Sequence, residues 1–133
     1  MKDEVKAAIE GCAAASLAGE ITFPQVIARL SELGIERYFA DYCRSEIVYY
    51  DLAGETHVVA SPHAAVSIGM EFAADLVDKS VRKSQRNEHT YVDFVCETMQ
   101  AGCVGYFVLL TGRQVIYFGR KGQMHVEKFP GTP

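Results

Sequence analysis

The chain has 133 residues, 49% apolar and 23% charged, which supports an ordinary globular core and excludes a disordered or low-complexity segment as its main content. A formal net charge of −4 argues against nucleic acid or an anionic membrane as a partner drawn in by bulk charge. No stretch has the length of an apolar bilayer span, the opening Met-Lys-Asp-Glu-Val lacks the character of a leader, and Cys12, Cys43, Cys96 and Cys103 show no CxxC spacing, so a soluble cytoplasmic protein with four reduced thiols is expected.

Asp3 is the expected N-cap of a first helix whose stripe is Val5, Ala8, Ile9 and Cys12, with Gly19 as its stop. Thr22-Phe23-Pro24-Gln25 reads as a capping box with proline in the first turn, followed by the stripe Val26, Ile27, Leu30 and Leu33 and the stop Gly34. Three strands are then predicted: Arg37-Tyr38-Phe39-Ala40-Asp41-Tyr42, Ile47-Val48-Tyr49-Tyr50 and His57-Val58-Val59. Arg44-Ser45 turns the first into the second, Asp51-Leu52-Ala53-Gly54 makes the next hairpin loop, and Ser61-Pro62 closes the third.

The second half repeats this plan. A helical stripe of Phe72, Leu76, Val77 and Ser80 precedes a second capping box at Thr90 and Asp93, a face of Phe94, Val95, Thr98 and Ala101, and the stop Gly102. Strands follow at Val104–Leu110, Gln114–Phe118 and Met124–Phe129, with turns at Thr111-Gly112 and Arg120-Lys121-Gly122. Sliding residues 1–65 onto 69–133 without a gap brings eleven identical residues into register, among them Thr22/Thr90, Gly34/Gly102, Tyr38/Tyr106, Tyr49/Tyr117, Gly54/Gly122 and His57/His125. The pairs include a helix start, a helix stop and a hairpin glycine, positions where backbone geometry restricts residue choice. The expected fold is therefore α+β: a tandem duplication of an α-α-β-β-β unit within one domain, with pseudo-twofold symmetry and antiparallel sheet covered by helices. Strands Val104–Leu110 and Val115–Phe118 are apolar on both faces, which predicts cover on both, by helices on one and by the other half-sheet or a second subunit on the other. A homodimer is a natural source of that cover.

The run Tyr91-Val92-Asp93-Phe94-Val95-Cys96, then Ala101-Gly102-Cys103, Val115-Ile116-Tyr117-Phe118, Gly122 and His125-Val126-Glu127-Lys128-Phe129-Pro130, resembles an uncharacterised bacterial family of YbcV-like proteins, often labelled "phage envelope protein". Phe23-Pro24 and Gly34-Ile35-Glu36-Arg37-Tyr38 extend the resemblance into the first half. These motifs are caps, turns and aromatic strands. The resemblance implies no catalytic residues and no cofactor, and supports a protein of unknown function.

Paired imidazoles at His57 and His125 could converge on a metal or an anionic ligand, or each could hydrogen-bond a hairpin or cap carbonyl as inherited structure, since no carboxylate or cysteine lies nearby at ligand spacing. Tyr38, Tyr42, Tyr49, Tyr50, Tyr106 and Tyr117 could line a small-molecule pocket, or simply be half-buried strand residues with a wet tip. Lys79, Arg82, Lys83 and Arg86 form a basic ridge at i, i+3, i+4 and i+7, but Asp75 and Asp78 precede it, and an acidic-to-basic run along a helix complements the helix dipole without a ligand. Cys96 and Cys103 are nucleophile candidates only beside a base in an electropositive setting, and buried inert thiols are expected for all four cysteines; HExxH, P-loop, GxGxxG and GxSxG motifs are absent. The leading expectation is a non-catalytic module that binds a small molecule or a protein, with no cofactor. The alternatives are an enzyme built on His57, His125, Tyr49 and Tyr117, with or without a metal, and a phage-related structural component.

Overall fold

A computed structural model describes residues 1–63 and 66–132, so the ends of the two matched segments, at 64–65 and 133, lie outside the described residues. The element order is α1 (Asp3–Leu17), α2 (Phe23–Glu32), β1 (Ile35–Asp41), β2 (Glu46–Asp51), β3 (Thr56–Ala60), α3 (Ala74–Gln85), α4 (Tyr91–Gln100), β4 (Cys103–Leu109), β5 (Gln114–Gly119) and β6 (Met124–Lys128).

Both predicted capping boxes form. The Thr22 hydroxyl accepts from the Gln25 amide while Gln25 Oε1 accepts from the Thr22 amide at 2.8 Å, and Thr90 and Asp93 do the same for α4 at 3.2 and 3.1 Å. Two helix expectations are corrected. Lys2, not Asp3, is the N-cap of α1; Asp3 already has helical backbone and with Glu4 places negative charge on the first turn, where the helix dipole favours it. In α3 the inward stripe is Val77, Ser80 and Val81, whereas Leu76 is 50% exposed and Phe72 precedes the helix. Phe72 is held by the chain before α3, which crosses the end of α4 through hydrogen bonds from Gly69 N to Met99 O and from Ala73 N to Ala101 O. That crossing explains Gly102, which stops α4 at φ +89°: a Cβ there would also lie 2.1 Å from the Glu71 carbonyl oxygen.

All six strands join one antiparallel sheet in the order β3-β2-β1-β4-β5-β6, so the two three-stranded meanders meet along β1 and β4 with Phe39 opposite Phe107. Side chains alternate between faces. Tyr38, Ala40, Ile47, Tyr49, Tyr106, Val108, Val115 and Tyr117 point to one face and join Ile9, Val26, Leu30, Val77, Phe94, Val95 and Met99 in a single buried cluster. The four helices cover that face alone. Of the two covers offered for the second face, the other half-sheet is ruled out, because the halves lie edge to edge in one six-stranded layer.

Candidate functional site: two faces of one sheet

Of the predicted site residues, His57, His125, Tyr38, Tyr49, Tyr106 and Tyr117 share the helix-covered face, but the sheet order keeps the imidazoles apart. His57 is on β3 and His125 on β6, the two edges, five inter-strand steps or about 24 Å from each other. No single ion spans that gap, since metal–imidazole bonds are about 2 Å long. Across each meander the register aligns Tyr38, Tyr49 and His57, and likewise Tyr106, Tyr117 and His125. The tyrosines are packing residues: Tyr38 stacks on Tyr49 at 5.3 Å, Tyr106 on Tyr117 at 5.5 Å, and all four are buried. Burial drives each phenol above its ordinary pKa, which keeps it neutral and acting as a hydrogen-bonding group at most.

Each histidine meets a carboxylate from the first helix of its own half, not a hairpin or cap carbonyl. His57 Nε2 is 2.9 Å from Glu10 Oε1, and His125 Nε2 is 3.5 Å from Asp78 Oδ1 and 3.8 Å from Glu127 Oε2. Asp78, His125 and Glu127 have the chemistry of a divalent-metal site, with donor atoms within 4.8 Å of one another. The arrangement fits a metal poorly, because one Arg82 nitrogen, Nη2, already lies 3.0 Å from Asp78 Oδ1 and 2.8 Å from Glu127 Oε2, supplying the positive charge an ion would bring. Of the predicted basic ridge, Lys83 pairs with Glu97 and Arg86 with Glu88 as well. With three of its four charges met within the fold, the ridge has little left for phosphate.

The sequence reading missed a hydroxyl–imidazole–carboxylate relay at the α3–α4 turn. Ser84 Oγ lies 2.6 Å from His89 Nε2, and His89 Nδ1 lies 2.8 Å from Glu97 Oε2. The carboxylate can only accept, so Nδ1 donates, and a neutral ring then accepts the Ser84 proton at Nε2. A readable signal exists: Ser84 sits in the last turn before one helix stop, His89 immediately before the next N-cap and Glu97 two turns into α4, so the three face each other across the turn. Burial works against the Glu97 charge, but hydrogen bonds from His89 and Lys83 outweigh it and hold the carboxyl below its usual pKa.

Two cavities lie away from these groups. The cavity beside Tyr42, His63 and Tyr91 is about 10 Å³, room for one water. An open depression of about 400 Å³ lies between α1 and α2, lined by Ala8, Cys12, Arg29 and Leu33 among others, and includes none of the predicted histidines or tyrosines.

The opposite face of the sheet carries the more telling pattern. Register places Val58, Val48, Phe39, Phe107, Ile116 and Val126 in one row across all six strands, apolar from edge to edge. The Phe39 and Phe107 rings meet at 4.6 Å at its centre, and Phe107 contacts Phe118 at 6.2 Å. Gly105 is part of the device: a Cβ there would stand 3.0 Å from Phe39 Cζ, so glycine lets that ring lie against the sheet. Among the described residues no helix crosses this face; Val58 and Val126 are 49% and 46% exposed, and Met124 is 59% exposed. The expectation of two apolar faces is thus met, and the expectation of cover is met on one only.

No helix among the described residues is long and apolar enough to cross a membrane. No family model matches the chain. No curated protein matches it either.

Proposed function

We propose that this protein is a non-catalytic α+β interaction module, an α-α-β-β-β unit used twice, that binds protein through the uncovered face of its sheet. The observation that carries the reading is the six-residue apolar row that none of the four helices covers, exposed at Val58 and Val126 and half-buried between them, since a continuous apolar row on a helix-free face marks an interaction site. A small-molecule role has less support, because Tyr38, Tyr49, Tyr106 and Tyr117 are packed against each other and line neither the cavity beside Tyr42 nor the depression between α1 and α2.

The duplication is supported by geometry beyond residue identity. Elements α2 and α4, β1 and β4, β2 and β5, and β3 and β6 have bounds 68 residues apart at both ends. Eight of the nine positive-φ residues among those described repeat at the same interval, Gly19 with Asn87, Gly34 with Gly102, Ser45 with Arg113 and Gly54 with Gly122, Gly131 being the exception. The strand irregularities at Ile35/Arg37 and Cys103/Gly105 repeat too, as do the His57–Glu10 and His125–Asp78 pairings. A pseudo-twofold axis would pass through the Phe39/Phe107 pair, whose members are themselves 68 apart. Kinship with the YbcV-like family and a cytoplasmic location belong to the same proposal.

A photo-crosslinking residue at Val126, on the apolar row, should capture a polypeptide in the cell, while the same residue at the exposed Ala7 of α1 should not. Capture no greater from Val126 than from Ala7 would refute the reading.

A second reading, an enzyme, is favoured by the Ser84–His89–Glu97 relay, the arrangement of an activated hydroxyl. Against it, Ser84 sits in the last turn of α3, where the helix dipole is negative and disfavours an oxyanion. A serine-reactive fluorophosphonate should leave the protein unlabelled. Labelling abolished by Ser84→Ala would establish the enzyme reading instead.

A further inference from the structure

The uncovered face is a grid of three rows. Beside the apolar row lie Thr56, Tyr50, Arg37, Leu109, Gln114 and Lys128 on one side, and Ala60, Glu46, Asp41, Gly105, Phe118 and Met124 on the other. The central row reads Val-Val-Phe-Phe-Ile-Val, nearly the same from either end, so it matches itself in either direction. The flanking rows do not: around the centre one carries Arg37, the other Asp41 and Glu46. An apolar self-matching stripe bordered by opposite charges is what an isologous twofold contact requires, because such a contact sets each patch against its own copy.

Resting on the reading of this face as a protein-binding surface, we infer that its occupant is a second copy of the chain, stacked sheet on sheet. Two twofold axes in the plane of the interface are compatible with the pleat. An axis along the strands keeps each row facing its own row and sets Arg37 over Leu109 and Asp41 over Gly105, which leaves charges against apolar neighbours. An axis across the strands keeps the central row on itself, so Phe39 faces Phe39, and exchanges the flanking rows, so Arg37 faces Asp41 of the second copy twice over. Charge complementarity selects the second. The Arg37 guanidinium lies 4.3 Å over the Tyr50 ring on the same face and pairs with Glu36 of its own strand, a pairing that the contact with Asp41 of the second copy must share or replace.

Size is adequate. Six strands at about 4.8 Å spacing and some five residues of length at about 3.3 Å give a footprint of roughly 500 Å² per copy. Two copies then bury on the order of 1,000 Å² or more, the threshold for a specific interface, with the sheets about 10 Å apart and twisted by about 30°.

The test is sedimentation equilibrium on the full chain. The unaltered protein should be a dimer at micromolar concentration. Phe107→Asp should be monomeric with unchanged far-ultraviolet dichroism, and Val126→Lys, at the exposed edge of the row, supplies the same readout should the central substitution fail to fold. Arg37→Asp and Asp41→Arg should each weaken association at least tenfold, and the two together should restore it. A dimer untouched by the Phe107 and Val126 changes would place the interface elsewhere and overturn the inference. Weakening without restoration in the double exchange would overturn the axis chosen here. A chain monomeric at millimolar concentration removes the second copy as occupant; capture of a different protein from Val126 would then leave the protein-binding reading standing, and no capture would end both.

Discussion

Glu97 is the residue where charge, burial and a buried imidazole meet. Its carboxylate takes hydrogen bonds from His89 Nδ1 and Lys83 Nζ, and the His89 side chain is only 5% exposed, so the relay ties the α3–α4 turn from inside. A carboxyl held below its ordinary pKa in the folded state binds fewer protons there than in the unfolded chain around that pH. It therefore contributes stability that is complete above the unfolded-state value and is lost as pH falls through the lower, folded-state value. Glu97→Gln removes the charge while keeping the shape, and should destabilise the protein by about 1–2 kcal/mol at pH 7 in urea unfolding. The gap between the two proteins should narrow steadily below pH 4, where the unfolded-state carboxyl of the parent gains its proton. A gap independent of pH would show that the carboxylate charge contributes nothing to the turn.

At the scale of elements, legibility followed locality. Thr22, Gln25, Thr90 and Asp93 announce helix starts because a cap is settled within four residues, and Gly34, Gly54, Gly102 and Gly122 announce stops and turns because left-handed backbone is decided at a single residue. The meander registers that align Tyr38 with Tyr49 and Tyr106 with Tyr117 follow from those turns. What sequence could not supply is the β1–β4 pairing, which joins residues about 70 positions apart and is written in no turn. That single pairing sends His57 and His125 to opposite edges, and so separates the site the repeated residues suggested. The phase of α3 was hidden for a related reason. Phe72 is apolar because the chain before the helix crosses α4, so counting it in the helical stripe displaced the stripe onto Leu76. The apolar second face was half visible in Phe107, Ile116 and Phe118, but its continuation through Phe39, Val48 and Val58 appears only when the sheet is assembled.

For the molecule as a whole, the β1–β4 seam determines whether the two halves stand or fall together. Each meander is capped by its own pair of helices and could in principle open alone, yet the tyrosines of both halves pack into one cluster beneath the helices, and the seam itself is closely fitted. A Cβ on Gly105 would lie 2.5 Å from the Ala40 carbonyl oxygen across the seam and 3.0 Å from Phe39 Cζ on the uncovered face. Gly105→Ala must therefore push β4 from β1 or displace the Phe39 ring, overpacking that costs about 1–3 kcal/mol. If the halves form one cooperative unit, the cost falls on a single transition: helix signal by circular dichroism and tyrosine fluorescence, read without interference from tryptophan, should shift to lower denaturant together. Because the same substitution lifts the ring at the centre of the apolar row, association should weaken in step with stability. Two resolved transitions, with only one of them moved, would mean that the seam joins independently stable halves, and the face would then be a composite that half the molecule can lose without unfolding the rest.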